Sequence, residues 1–208
     1  MKYNFTFLLL FIFLGSYAQE IVVTKDSLQL EFKKNRKASK FFNVRQSNEV
    51  NSDKLTKRMF RVKIESLNEK PVDINAFSLV DTKNKVRYRV GDYIGYKGIS
   101  IGGSGVHSSK YLKTELLNKR GKPLIPYPKY DENIEDTFTN YDFEGYHNIE
   151  FETNFKTRKK PKLSIVYYGP TTMKKFTADL YFITINELDS SAELELYYKK
   201  EKINDIEL

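Results

Sequence analysis

Alternate residues are apolar along segment after segment of this chain, and that period of two constrains the fold more than any other feature. Leu28, Leu30 and Phe32 are interleaved with Gln29, Glu31 and Lys33. Phe60, Val62 and Ile64 alternate with Arg61, Lys63 and Glu65, and Val86, Tyr88 and Val90 with Arg87 and Arg89. The same pattern recurs at Ile149 and Phe151 against Glu150 and Glu152, and at Leu194, Leu196 and Tyr198 against Glu193 and Glu195. Side chains of a strand point to opposite faces in turn, so each segment predicts a strand with one dry and one wet face. Half-wet strands belong to antiparallel sheets, because parallel sheets are covered on both sides. Residues 163–168 and 176–185 are more continuously apolar and are expected to be central strands. Turn chemistry separates the pieces at Asn68-Glu69-Lys70-Pro71, Lys83-Asn84-Lys85, Gly169-Pro170 and Asp189-Ser190-Ser191. Roughly eight to ten short strands with frequent turns predict an all-β, antiparallel β-sandwich. The best helical candidate, residues 110–117, reads equally well as a strand.

Residues 91–148 break the rhythm and are expected to form a long irregular insertion. They hold a glycine cluster (Gly91, Gly95, Gly98, Gly102, Gly103, Gly105), a proline-tyrosine stretch from Pro123 to Tyr130, and an acidic stretch from Asp131 to Glu144. Long irregular loops inside compact domains commonly carry function. Any binding site is therefore expected to use this segment.

The N-terminus has the three-part layout of a secretory signal peptide: Lys2, an apolar run over residues 5–14 broken by Thr6, then Ser16 and Ala18 before Gln19. The run is well short of the roughly 20 residues a spanning helix needs. The expectation is an exported chain, periplasmic or extracellular, with residues 1–18 as signal peptide and 19–208 as one β-sandwich domain without a membrane span. Cysteine is absent. That excludes disulfides, cysteine-ligated zinc, thiol catalysis and lipid attachment at cysteine. The formal net charge of +8 favours anionic partners.

The string Met59-Phe60-Arg61-Val62-Lys63-Ile64-Glu65-Ser66-Leu67-Asn68-Glu69-Lys70-Pro71-Val72, continued by Phe77-Ser78-Leu79-Val80-Asp81 and Val86-Arg87-Tyr88, resembles a family of secreted bacterial domains. These are immunoglobulin-like β-sandwiches of the immunoprotective-extracellular type, most of unknown function. Ile149-Glu150-Phe151-Glu152 and Leu163-Ser164-Ile165-Val166-Tyr167 resemble a later strand pair of the same family. The segment between the two blocks is far longer here than in the family pattern. The resemblance implies an immunoglobulin-like fold and an accessory role in the cell envelope, and it supplies no catalytic residues.

Chemistry-bearing motifs are few. Gly98-Ile99-Ser100-Ile101-Gly102 matches the G-x-S-x-G elbow of serine hydrolases, with Asp131, Asp136, Asp142 and His147 following in order. The elbow needs a strand-turn-helix, and Gly103-Ser104-Gly105 is a poor helix start. A glycine-rich hairpin with a surface serine is the plainer reading. His107 and His147, with Asp142 or Glu144, have no recognised metal-site spacing. The stretch Asp131 to Asp136 places oxygen ligands at alternate positions, but Asp136 stands where a calcium loop needs glycine. No metal site and no cofactor are expected. Two basic runs, Lys33-Lys34-Asn35-Arg36-Lys37 and Lys156, Arg158, Lys159, Lys160 and Lys162, are expected in turns.

Tyr93, Tyr96, Tyr127, Tyr130, Tyr141 and Tyr146 all fall in the insertion, and tyrosine supplies rigid apolar area with a polar tip. The expected function is a non-catalytic envelope domain contacting a protein or an anionic polysaccharide through these tyrosines and the basic residues Lys156, Arg158, Lys159 and Lys160. Nucleic acid is not an expected partner of an exported chain. The alternative is an envelope hydrolase or glycan-active enzyme using Ser100 or the loop carboxylates.

Overall fold

The computed structural model describes residues 22–25, 28–37, 41–42, 48–50, 53–98, 100–103, 107–111, 120–122, 131–155 and 162–207. Residues 1–18, expected to be a signal peptide, lie outside the described residues. In chain order the strands are β1 (Val22–Lys25), β2 (Leu28–Lys37), β3 (Phe41–Phe42), β4 (Asn48–Val50), β5 (Leu55–Ser66) and β6 (Phe77–Asp81). There follow β7 (Val86–Lys97), β8 (Ser100–Gly103), β9 (His107–Ser109), β10 (His147–Ile149) and β11 (Thr153–Phe155). The last are β12 (Lys162–Ser164), β13 (Val166–Tyr168), β14 (Lys175–Ile185), β15 (Leu194–Tyr198) and β16 (Glu201–Ile206).

The main sheet runs β1-β2-β5-β14-β7-β6-β15-β16, with β8 and β10 also on β7. It is antiparallel except for the short parallel pairing of β10 with β7. The sheet curls until its ends meet: β16 packs beside β1 and β2. Asn35 Nδ2 donates to the Glu207 carbonyl across the seam at 2.7 Å. The protein is thus an all-β molecule built on a nearly closed antiparallel sheet. Two small sheets, β12-β11-β4-β3 and β13-β9, complete it.

β7 makes the corner. Its first half pairs with β6 and its second half with β14. Val90 opposes Phe182 and Asp92 opposes Tyr181, so Gly91 is an extra residue. A bulge of this kind bends a strand and lets it pass from one layer to the other. It also shifts side-chain parity by one. Tyr88 and Val90 point inward before the bulge, Tyr93 and Gly95 after it, and all are buried.

The apolar faces meet inside the curl. Phe60 packs at a tilt against Phe182 at 5.6 Å, Phe77 likewise against Tyr198 at 4.8 Å, and Tyr93 meets Tyr168 edge-on at 4.9 Å. The alternation of β5 is as expected, with Phe60, Val62 and Ile64 fully buried. β14 is a central strand, paired with β5 along its whole length and with β7 on its other side. Three expectations are corrected. Residues 163–168 are two short strands in two small sheets, since Ile165 interrupts the pairing. Residues 33–37 continue β2, where a turn was expected. The irregular segment begins later than residue 91, because Gly91–Lys97 are strand.

Candidate functional site

The acidic stretch of the insertion and the residues after it, 131–150 in all, form a strap over the outer face of β7 and β15. It begins with a side-chain turn in which Asp131 Oδ1 accepts from the Asn133 backbone N–H at 2.9 Å. A 3-10 turn follows at Phe138–Tyr141. The strap ends as β10, whose His147 backbone N–H donates to the Lys85 carbonyl at 2.8 Å. On the sheet beneath, Ser78 lies between Arg89 and Tyr197, and Val80 between Arg87 and Glu195. Ser78 and Val80 are buried.

Arg87 and Arg89 are outward residues that the alternation marks as wet, yet their side chains are 0% and 4% exposed. The strap supplies the reason. Arg89 makes a two-pronged pair with Asp136, both bonds at 2.7 Å, and donates from Nε to Glu150 at 2.8 Å. Lys110 Nζ joins the cluster, 2.7 Å from Glu150 and 3.3 Å from Asp136. Arg87 donates to the Phe138 carbonyl at 3.0 Å, to Asn148 Oδ1 at 3.2 Å and to Asp142 Oδ1 at 3.3 Å. The Phe138 ring is fully buried, 3.8 Å from the Arg87 guanidinium and 4.4 Å from that of Arg89. Thr137 Oγ1 donates to Asp73 Oδ2 at 2.6 Å and ties the strap to the rim of the sheet.

The electrostatics follow from this packing. Burial lowers the Arg87 pKa to about 10, against the opposing pull of Asp142. Burial alone would raise the Asp136 carboxyl. The Arg89 hydrogen bonds and charge, with Lys110, outweigh it and hold Asp136 below the ordinary carboxylate value. Asp73 goes the other way, raised by burial despite the bonds from Thr137 and Asn75.

Above this ionic layer three rings meet. Phe143 lies 5.6 Å from Tyr146 and 5.0 Å from Tyr197, the latter edge-on at 89°. All three are half-buried. Lys85 Nζ sits 4.9 Å over the Tyr146 ring and donates to its hydroxyl at 3.3 Å. The Tyr197 hydroxyl donates to Glu195 at 2.7 Å, and Lys202 donates to the other Glu195 oxygen at 3.2 Å. Lys199 stands 5.8 Å over Tyr141. The result is a preformed aromatic surface edged by lysines, which suits non-covalent contact.

The tyrosines expected to act together are dispersed. Tyr93 is in the core, because the Gly91 bulge turns it inward. Tyr96 lies on the outer face of the other half of the sheet, its hydroxyl donating to Asp179 at 3.2 Å. There Asp179 also takes a two-pronged pair from Arg61 at 2.6 and 2.8 Å. Nearby, Lys57 sits 4.3 Å over the Tyr181 ring, its pKa lowered to about 8 by burial against the pull of Asp92. Tyr141 and Tyr146 share the strap. Tyr127, Tyr130, Lys156, Arg158, Lys159 and Lys160 lie outside the described residues.

Ser100 falls in β8, opposite Lys97 of β7, so its motif is the end of a hairpin and not a strand-turn-helix elbow. Asp136 of the calcium-like stretch is taken by Arg89. Among the described residues no group of three or more metal-ligating side chains converges. Sequence reasoning missed Phe143, Tyr197, Arg87 and Arg89. The available signal was two arginines at alternate positions of an apolar strand together with an acidic segment downstream. Comparison of the chain with protein-family models, curated proteins and solved structures gave no match.

Proposed function

We propose that this chain is an exported, non-catalytic binding domain of the cell envelope that contacts a protein or an anionic polysaccharide through the aromatic surface of its strap. The observation that carries the reading is the run of half-buried rings Tyr146, Phe143 and Tyr197. Arg87 fixes it from below and Lys85 and Lys202 flank it. Rigid rings lose little conformational entropy on contact, so such a surface suits recognition. The carboxylates an enzyme would need are engaged: Asp136 and Glu150 with Arg89 and Lys110, and Asp142 with Arg87 and Asn148. Export rests on the N-terminal pattern at residues 1–18.

The finer assignment, an immunoglobulin-like sandwich of the secreted bacterial type, rests on the strand-turn-strand resemblance over residues 59–90. Those residues form β5, the Asn68-to-Pro71 turn, β6 and the start of β7. β5 pairs with β2 and β14 while β6 pairs with β7 and β15, so the two strands lie in different halves of the sheet. Strands B and C of an immunoglobulin sandwich are likewise in different sheets.

The test uses point substitutions, because deleting residues 93–144 would cut away the half of β7 that pairs with β14. Immobilised residues 19–208 are compared with the Phe143→Ala and Tyr146→Ala variants for capture from an envelope extract and for binding of polygalacturonate against neutral dextran. The reading expects a loss of about tenfold or more in one of these arms. Unchanged binding by both variants, with the fold intact by circular dichroism, refutes it.

A further inference from the structure

The strap joins the rest of the molecule in an unusual way. Of residues 131–150, Phe138 is the buried one, and the others are half-buried or exposed. Backbone pairing to the sheet is the three-residue ladder of β10 on β7. β14, by contrast, is paired with β5 along all eleven of its residues. The remaining attachment combines a little apolar packing, by Phe138, Tyr141, Phe143 and Ile149, with an ionic cluster centred on two arginines. Segments with few buried apolar contacts open at lower free energy than the core around them.

We infer that the 131–150 strap is an acid-released latch, which lifts from β7 as a unit while the curled sheet stays folded and so takes apart the ring cluster of Tyr146, Phe143 and Tyr197. The inference rests on the proposed binding surface and names its regulation, since Phe143 and Tyr146 travel with the strap while Tyr197 stays on β15.

Asp136 is the centre of the latch. Facing it are Arg89 from β7, Lys110 from the segment after β9, and Glu150 at the far end of the strap. The neighbouring anchor sets Arg87 against Asp142 and Asn148. Asp73 faces Thr137 from the sheet rim, with Lys199 as its nearby cation. Lys85 faces Tyr146, and Tyr197 lies with Glu195, Lys202 and Asp205 on β15 and β16. His147 is exposed on β10.

The sign follows from linkage. Asp136 has a lower pKa folded than unfolded. Its contribution is fully present above its unfolded value and is lost as pH falls through the folded one. Once neutral, Asp136 no longer offsets the buried Arg89 charge. Removing one partner of a buried pair is strongly unfavourable, and opening the strap relieves it by rehydrating the guanidinium. Asp73 opposes this weakly, because its raised pKa lets it take up a proton first while Thr137 stays within bonding reach.

The test is amide hydrogen exchange on the full chain between about pH 7 and about pH 2, corrected for the intrinsic rate. Peptides spanning 134–150 are expected to lose protection by about tenfold or more as the pH falls, while β5 and β14 remain protected. Asp136→Asn is expected to open the strap to a similar degree at neutral pH and to flatten its pH response. Loss of protection in strap and sheet together, or a strap protected throughout, overturns the latch. So does an Asp136→Asn strap that exchanges like the wild type at neutral pH. If that variant does not fold, the wild-type titration decides alone. The readout needs no partner. An opening strap combined with unimpaired binding by both Phe143→Ala and Tyr146→Ala sinks the binding surface and leaves the latch. A closed strap combined with impaired binding does the reverse.

Discussion

Over its first half, Val86 to Val90, β7 is closed to water on both faces, and opposite physics closes them. Inward, Tyr88 and Val90 join an apolar core with Leu180, Phe182 and Leu196. Outward, Arg87 and Arg89 are closed off by Asp136, Asp142, Glu150 and the Phe138 ring. The inner closure is non-directional and scales with buried area, so it tolerates changes of pH and salt. The outer closure is directional and conditional. A buried ion pair roughly breaks even against a well-packed apolar substitute, yet it is costly once one partner is lost. The comparison teaches that the core makes the fold, while the charges decide where one segment rests upon it.

The largest expected effect tests the inner face. Phe182→Ala should lower unfolding free energy by about 3–5 kcal/mol in urea denaturation, because the ring is fully buried against Phe60. A loss below about 1 kcal/mol would mean that the inner wall is not close-packed. Next comes the outer face. Arg89→Ala should cost about 3 kcal/mol, less than the core change, because the strap can open and rehydrate Asp136 and Glu150. Replacing Arg89, Asp136 and Glu150 together by apolar residues of similar size should restore most of that loss. Failure to do so would show that the cluster stabilises beyond its own pairing. Arg87→Lys is smaller, about 1 kcal/mol, since an ammonium cannot serve Phe138, Asn148 and Asp142 as the planar fork does. At the bottom of the scale, Glu69→Gln should leave the melting temperature unchanged. Its pair with Lys174 is exposed, and exposed pairs contribute little.

Much of the fold was legible in the sequence. The alternation at Phe60, Val62 and Ile64 and at Leu194, Leu196 and Tyr198 named the inner face correctly. The turn at Lys83-Asn84-Lys85 does join β6 to β7, with Lys85 at positive φ and Asp81 accepting from the Lys83 and Asn84 backbone N–H groups. The same rule failed at Arg87 and Arg89. A period of two says which residues share a face, and it does not say what lies over that face. It failed again after Gly91, where one extra residue swaps inside for outside and sends Tyr93 to the core.

The candidate site was half visible. Tyr141 and Tyr146 stood out by composition. Phe143 and Tyr197 did not, because one lies in an acidic segment and the other looked like an ordinary outward strand residue. They meet across 54 positions of chain only because the strap folds back over β15.

The amino-acid order alone therefore determined the β class, the antiparallel pairing and the identity of most core residues, because those follow from local periodicity and turn chemistry. The tertiary structure decided the corner at Gly91, the burial of two arginines and the assembly of the ring cluster. Each of these depends on which distant carboxylate or ring reaches a given strand face, and that is settled by packing in three dimensions rather than by neighbours along the chain.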